Sequence, residues 1–213
     1  GLACTDLLSP QGLLRGTARS LDLAATNDAD SPVCMQLYGG DPDILAEGAI
    51  WAVEHGADVI DINMGCPVRK IARKGGGSGL IRDPELAIKI VEAVADAVAV
   101  PVTVKTRLGW CGRDADPVHW CQQLEQAGAQ LLTLHGRTRE QGFKGAADWS
   151  AITNVREALT IPLIANGDIN SPDDALRCLN QTGAAGVMVG RGTMGAPWLV
   201  GQIDAALPGR AIP

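Results

Sequence analysis

The hydrophobic positions along the chain follow two patterns that alternate. Short runs rich in Val, Ile and Leu are followed by longer stretches in which apolar residues recur every three or four positions. The first pattern is typical of buried strands and the second of amphipathic helices. Their alternation predicts an α/β fold in which strands pair in parallel and helices cover the sheet.

The sequence predicts seven strands, and six of them start with one of two signals. Three open around a proline and three follow a Gly-Ala pair, and the two signals alternate strictly along the chain. A glycine in front of a strand suits the left-handed C-cap of a preceding helix. The predicted strands are 2–6, 31–36, 56–63, 100–105, 128–135, 161–166 and 183–190.

Five amphipathic stretches between the strands are predicted helices. The stretches that begin at Asp41, Asp83 and Ser171 open with a capping residue followed by proline, which is a recognised helix start. The predicted helices are 41–55, a stretch that starts at residue 83, 116–127, 149–159 and 171–180.

Polar residues end six successive predicted strands and discriminate between two architectures. An open doubly wound sheet brings only the strands at its switch point to a common site. A (β/α)8 TIM barrel gathers the carboxyl ends of all its strands around one mouth, where active sites lie. The sequence therefore favours an α/β fold of the TIM-barrel type. The polar ends are Gln36, Asn63, Lys105, His135, Asn166 and Gly190-Arg191.

The composition limits the kinds of protein that fit this fold. Of 213 residues 46% are hydrophobic, so a large core can be buried, and no run of 18 apolar residues is present to span a membrane. The start of the chain lacks the basic residues of a secretory signal. Six cysteines without a CxxC pair or a histidine cluster predict reduced thiols and no metal site. Cys4, Cys34 and Cys178 are expected in the core.

The charge is acidic overall but locally basic. The net charge of −6 and an aromatic content of 3% are unlike those of a dedicated nucleic-acid module. Nevertheless Arg69, Lys70, Arg73 and Lys74 follow Cys66 with no acidic residue among them. A solvated loop and a phosphate-binding patch are both open interpretations of this run.

Two loops at the predicted mouth have the composition of a phosphate site. Residues 190–195 match GxGxxG after a strand, but the further strand and acidic residue of a dinucleotide fold do not follow. Barrels form a phosphate site after their last two strands, and Asn166, Gly167 and Asp168 supply the loop of the preceding strand. The loops suit the phosphate and ribityl chain of a flavin or another phosphorylated ligand, with a structural turn as the alternative.

Three further side chains at this mouth are candidate catalytic groups. Lys105 and His135 end neighbouring strands and are expected as a pair of cations that could stabilise a reduced flavin. Cys66 follows the strand that ends at Asn63 and precedes a glycine-rich loop. Its thiol could donate or accept a proton or act as a nucleophile. A lysine that reaches solvent and a structural cysteine are the alternatives.

Together these motifs resemble the tRNA-dihydrouridine synthases, and in particular the bacterial B-type branch. The resemblance covers nearly the whole chain. It rests on DINMGCP at 61–67, a basic and glycine-rich loop that ends SGL at 78–80, VKTRLG at 104–109, HGRTR at 135–139, ANGDI at 165–169 and VGRG at 189–192.

The resemblance implies an FMN-dependent enzyme that reduces the C5–C6 double bond of uridines in tRNA, with NADPH as the reductant of the flavin. It implies that Cys66 protonates C5 while the flavin delivers hydride to C6. Asn63 is implied near the flavin and the uridine, and the basic residues Arg69, Lys70, Arg73 and Lys74 at tRNA phosphates. The implied flavin contacts are Gln36, Lys105, His135, Asn166, Gly167, Asp168, Gly190 and Arg191.

The resemblance also predicts that residues 1–213 form a partial barrel of strands 2–8. A first strand with its flavin-binding loop and a C-terminal helical tRNA-binding domain are expected to be absent. The protein is expected to be a cytoplasmic monomer. Two other functions are open: an FMN barrel that acts on a free pyrimidine such as dihydroorotate, and a non-catalytic RNA-binding remnant.

Overall fold

Seven parallel strands form one sheet in the computed structural model, which describes residues 1–27, 31–73, 75–113 and 115–207. Each strand pairs with the next one along the chain, so the spatial order equals the sequence order. A doubly wound sheet reverses its strand order at the switch point, and no reversal occurs in these residues. The order confirms the prediction of the TIM-barrel type. The strands are β1 (Ala3–Cys4), β2 (Val33–Leu37), β3 (Val59–Asn63), β4 (Val102–Arg107), β5 (Leu131–His135), β6 (Leu163–Asn166) and β7 (Gly186–Met188).

Helices cover the sheet between successive strands. All five predicted helices are confirmed, as α3, α5, α6, α7 and α8, while α1, α2, α4 and α9 were not predicted. The helices are α1 (Pro10–Leu14), α2 (Ala18–Ala24), α3 (Pro42–Glu54), α4 (Arg69–Ala72), α5 (Pro84–Ala97), α6 (Pro117–Gln126), α7 (Trp149–Ala158), α8 (Pro172–Thr182) and α9 (Leu199–Ala206). Residues Gly77–Arg82 and Arg191–Thr193 form 3-10 helices.

The same capping contact starts each of the five predicted helices. A side-chain oxygen accepts a hydrogen bond from the backbone N–H three residues later, which satisfies a donor that has no partner inside the helix. Ser9 caps α1 in the same way ahead of Pro10, so the signal that predicted α8 was also present before α1. The capping residues of the five helices are Asp41, Asp83, Asp116, Asp148 and Ser171.

Strand β3 shows how the sheet separates its two faces. Ile60 and Ile62 are fully buried in the hydrophobic core that the sheet shares with the helices. Asp61 and Asn63, which alternate with them along the strand, are also buried but form hydrogen bonds with side chains of neighbouring strands. Alternate residues of a strand point to opposite faces. The sheet therefore has an apolar outer face under the helices and a polar inner face.

Two details of the strands differ from prediction. Strand β4 continues two residues beyond Lys105, because Arg107 still pairs with His135 of β5. The expected core position of Cys4 is wrong: this residue is exposed on β1, which has a strand neighbour on one side only in the part of the chain that the structure describes. Cys34 and Cys178 are buried as predicted. In that same part, no helix is both long and apolar enough to cross a membrane.

Candidate active site at the carboxyl ends of the strands

A cavity of about 330 Å³ lies at the carboxyl ends of β2 to β7. The strand register explains why these ends meet, since Asn63 pairs with Lys105, Arg107 with His135, and His135 with Asn166. The structure thus brings ten residues predicted at the site around one cavity. They are Gln36, Asn63, Cys66, Lys105, His135, Asn166, Gly167, Asp168, Gly190 and Arg191.

The basic run after Cys66 lies outside this cavity. Arg69 and Lys70 belong to α4, and Arg73 follows the helix directly; all three side chains are exposed. Lys70 lines a neighbouring groove of about 590 Å³ instead. Lys74 lies outside the described residues. The predicted substrate contacts are therefore divided between Asn63 inside the cavity and an exposed basic surface next to it.

Asn63 and the glycine-rich loop hold the backbone of Cys66 from two sides. The Asn63 Oδ1 atom accepts hydrogen bonds from the backbone N–H of Cys66 at 2.9 Å and of Gly65 at 3.2 Å. Ser78 N donates to the Cys66 carbonyl at 3.1 Å. Gly77 has φ +55°, and a Cβ there would lie 2.9 Å from the Cys66 oxygen. This position therefore requires glycine, and the half-buried thiol is held at the cavity wall.

Arg107 is a site residue that the sequence analysis missed. Its Nε donates to the Gly65 carbonyl at 2.8 Å, and its Nη1 donates to the carbonyls of Thr138 and Gly142. Burial and the nearby Arg137 lower the pKa of Arg107 to about 10, so it stays charged. The guanidinium joins the loop that carries Cys66 to the loop after β5. The sequence signal that could have indicated Arg107 is its position two residues after Lys105 on the same strand.

Arg137 is a second residue that was missed, and it is almost fully buried. Its Nη2 lies 2.8 and 2.7 Å from the two carboxylate oxygens of Asp168, which also accepts a hydrogen bond from Ala147 N. Although burial acts to raise the pKa of Asp168, the hydrogen bond from Arg137 leads the effects that lower it overall. The ion pair fixes the loop after β6 against the loop after β5.

His135 differs from its expected charge. Burial, followed by the positive charges of Arg107, Lys105 and Arg137, lowers the pKa of His135 to about 3. The imidazole is therefore neutral near pH 7, and the expectation of a cationic pair of His135 and Lys105 is wrong. Burial also lowers the pKa of Lys105, whose Nζ donates to Asn166 Oδ1 at 3.3 Å.

Two glycines in the loops after β6 and β7 leave no room for a side chain. Gly167 has φ +119°, and a Cβ there would lie 2.8 Å from the Cβ of Ala147 and 3.0 Å from the His135 ring. A Cβ on Gly192 would lie 2.5 Å from the Ile169 carbonyl. At Gly190, by contrast, a Cβ would meet open space. The loops pack closely behind the cavity and leave backbone exposed at its surface, where a ligand can approach.

The donors around the cavity match a phosphorylated, ring-containing ligand. The cavity wall carries the cationic side chains of Lys105 and Arg191 and the amide of Asn166. The Arg191 guanidinium lies 4.6 Å from the ring centre of Phe143, which also lines the cavity. Among the described residues no group of three or more His, Cys, Asp or Glu side chains is placed to hold a metal ion.

Solved structures with a similar fold support the architecture. A histamine dehydrogenase from Rhizobium sp. 4-9 superposes with a TM-score of 0.68 at 15% identity, over 96% of this chain and 41% of that chain. A mandelate oxidase variant with 2-hydroxy-phenylacetamide superposes with a TM-score of 0.61 at 21% identity, over 87% of this chain and 60% of that chain. At these identities the likeness concerns the fold alone.

Sequence relatives identify the family. A probable tRNA-dihydrouridine synthase 1 from Synechocystis sp. is 56% identical over 82% of this chain and 49% of its own length. The tRNA-dihydrouridine synthase B of Vibrio vulnificus is 41% identical over 95% of this chain and 63% of its own length. The chain thus spans about half to two thirds of these relatives. The family model for dihydrouridine synthase (Dus) matches residues 1–213, so the chain belongs to the dihydrouridine synthase family, as its motifs predicted.

Proposed function

We propose that the protein reduces uridine to 5,6-dihydrouridine in tRNA, with FMN as its cofactor and NADPH as the reductant. The observation that carries this proposal is the position of the Cys66 thiol. It lies on the wall of the same cavity as eight residues expected to bind a flavin, and two residues of neighbouring strands hold its loop. Membership of the dihydrouridine synthase family supports the choice of substrate.

The residues of the cavity fit an FMN molecule in the chemistry of their donors. Lys105, Asn166 and Arg191 can hold the polar edge and the phosphate, while Gly167 and Gly190 leave their backbone accessible. When bound, the flavin supplies the hydride that C6 of the uridine receives. The neutral His135 ring accepts or donates a hydrogen bond without adding charge.

Cys66 supplies the proton that completes the reduction. Its Sγ carries the proton at the cavity wall and transfers it to C5 of the uridine, because reduction of a C=C bond needs one hydride and one proton. Arg107 donates to the neighbouring Gly65 carbonyl and so places a positive charge beside the loop that carries the thiol.

The side-chain amide of Asn63 is used mainly for hydrogen bonds within the protein. Its Oδ1 accepts from two backbone N–H groups and its Nδ2 donates to Gln36 Oε1 at 2.9 Å. One N–H of the amide is left for a ligand. Asn63 therefore supports the site chiefly by holding the loop of Cys66, and its predicted contact with the uridine uses this one hydrogen.

The exposed basic surface of Arg69, Lys70 and Arg73 suits the phosphates of the tRNA. A uridine has to leave its stack to reach the cavity, at a cost of a few kcal/mol. Phosphate contacts next to the mouth offset this cost and need no strongly basic protein.

Dihydrouridine mapping in tRNA tests the proposal. Cells that lack the gene should lose dihydrouridine at defined positions, and the wild-type gene should restore it while Cys66→Ala should not. Cys4→Ala is the matched control, because Cys4 is exposed and does not line the cavity. Full restoration by Cys66→Ala would exclude the assigned role.

Two further results would favour the alternative functions. Reduction of free uracil or orotate but not of tRNA would favour an enzyme of free pyrimidines. A purified protein that binds RNA but no flavin would favour a non-catalytic function.

A further inference from the structure

A buried carboxyl group without a cationic hydrogen-bond partner lies one layer below the cavity. Asp61, in the middle of β3, is 3% exposed. Its Oδ1 accepts a hydrogen bond from Thr103 Oγ1 and its Oδ2 one from Gln36 Nε2, both at 2.6 Å. It forms no salt bridge within the described residues. Burial of a carboxylate on neutral donors alone is costly, and packing alone does not explain it.

In each hydrogen bond between Asp61 and the Cys66 loop, the acceptor is the group nearer to Asp61. An ionised carboxylate can only accept, so Gln36 must turn its NH2 group toward Asp61 and its oxygen toward Asn63. Asn63 then donates to Gln36 and presents its own oxygen to the backbone N–H groups of Gly65 and Cys66. The orientation of two amides, and with it the support of the Cys66 loop, depends on one acceptor.

We propose that Asp61 is a positioning residue for Cys66. Its carboxylate fixes the donor-to-acceptor direction of the hydrogen-bond chain that runs from the Cys66 N–H through Asn63 and Gln36 to Asp61. The proposal rests on the proposed function, in which Cys66 is the proton donor. Asp61 itself does not line the cavity, whereas Gln36 and Asn63 do.

The ionisation of Asp61 agrees with this role. Burial raises its pKa to about 6, against the opposing hydrogen bonds from Thr103 and Gln36 and the charge of Lys105. The titratable groups that face it are Lys105 on β4 and Cys34 on β2. Above pH 6 the carboxylate accepts both bonds, while protonation gives it a donor that competes with the Gln36 amide.

The variant Asp61→Asn tests the direction of the chain at nearly constant volume. We expect kcat for tRNA reduction to fall roughly tenfold or more with KM changed less than about twofold, because the thiol is displaced while the substrate surface is intact. The rate of alkylation of Cys66 by iodoacetamide should change by a similar factor. This second readout needs neither bound flavin nor tRNA, so it reports on Asp61 even if Cys66→Ala were to disprove the proposed function.

A rescue variant separates direction from packing. When Asp61→Asn is combined with Gln36→Glu, the carboxylate is moved to position 36, where it accepts from the amide introduced at position 61 and from Asn63. The alkylation rate should then return toward the wild-type value. Thr103→Val removes only the other hydrogen bond to Asp61 and should change the alkylation rate less than Asp61→Asn. A wild-type rate in Asp61→Asn, or no recovery in the double variant, would overturn the proposal.

A measurement on the unmodified protein covers the case in which Asp61→Asn does not fold. The side-chain amide signals of Gln36 and Asn63 in a ¹⁵N NMR spectrum should both shift with a midpoint near pH 6 as Asp61 titrates. Amide signals that stay constant over the pH range in which the Asp61 carboxyl itself titrates, followed by its own ¹³C signal, would refute the hydrogen-bond chain.

Discussion

Arg137 and Asp168 form an ion pair in which one guanidinium nitrogen contacts both carboxylate oxygens, at 2.8 and 2.7 Å. The arginine is 2% exposed, and its other hydrogen bonds go to the carbonyls of Lys144 and Gly145 and to Nε2 of His135. Asp168 adopts φ +59°, a conformation that few residues other than glycine, Asn and Asp accept. The pair therefore holds the loops after β5 and β6 together at the wall of the cavity.

Removal of one charge from this pair should destabilise the protein strongly. Asp168→Asn keeps the tolerance for positive φ but leaves the buried Arg137 without its counter-charge, at an expected loss of about 3 kcal/mol in the free energy of unfolding. Arg177→Gln, in the exposed pair of Arg177 and Asp174, is the control and should cost less than about 1 kcal/mol. Urea denaturation measures both, and equal losses would contradict the assigned role of the buried pair.

Gly167→Ala should impair the site by a clash in addition to backbone strain. The new methyl group would lie 2.8 Å from the Ala147 Cβ and 3.0 Å from the His135 ring. Gly142→Ala is the matched control, because Gly142 also has a positive φ of +59° but nothing lies within 4 Å of its Cβ. The control should lose about 1 kcal/mol from strain alone.

We expect Gly167→Ala to lose more stability than this control and to bind FMN more weakly in a fluorescence titration. Gly142→Ala should bind FMN as the wild type does. Equal FMN affinity in the two variants would show that close packing at Gly167 does not shape the cavity.

The sequence predicted the fold and most of the cavity because both follow from short-range patterns. Capping residues before proline located helices, and polar residues at strand ends located the mouth. The roles of Arg107 and Arg137 were not predicted, because they depend on which carbonyl groups approach these residues from other loops. The charge of His135 was not predicted for the same reason: Lys105 was expected beside it, but its burial and the approach of Arg107 and Arg137, which also keep it neutral, are not evident along the chain.

His135 should stay uncharged down to low pH. With a pKa of about 3 in the folded state and about 6.5 in the unfolded chain, the unfolded state binds the proton first. The contribution of the neutral ring to stability is thus complete above pH 6.5 and is lost as the pH falls toward 3. The variant His135→Gln should lack this part of the pH dependence. NMR of the ring carbons tests the ionisation, with the exposed His55 and His119 as references in the same sample, and a midpoint near pH 6.5 for His135 would refute it.

The basic surface next to the cavity should bind RNA through charge alone. Lys70→Gln and Arg73→Gln should each weaken tRNA binding to a similar extent for all tRNA sequences, and each should reduce the slope of log K against log salt by about 1. FMN binding should not change, since neither side chain lines the cavity of Cys66. Lys89→Gln on the exposed face of α5 is the control of equal charge change. If its effect on the salt slope equals that of Lys70→Gln, the slope responds to any loss of positive charge and the basic surface is not a specific contact. If only the variants beside Cys66 change the slope, the phosphate contacts are local to the mouth.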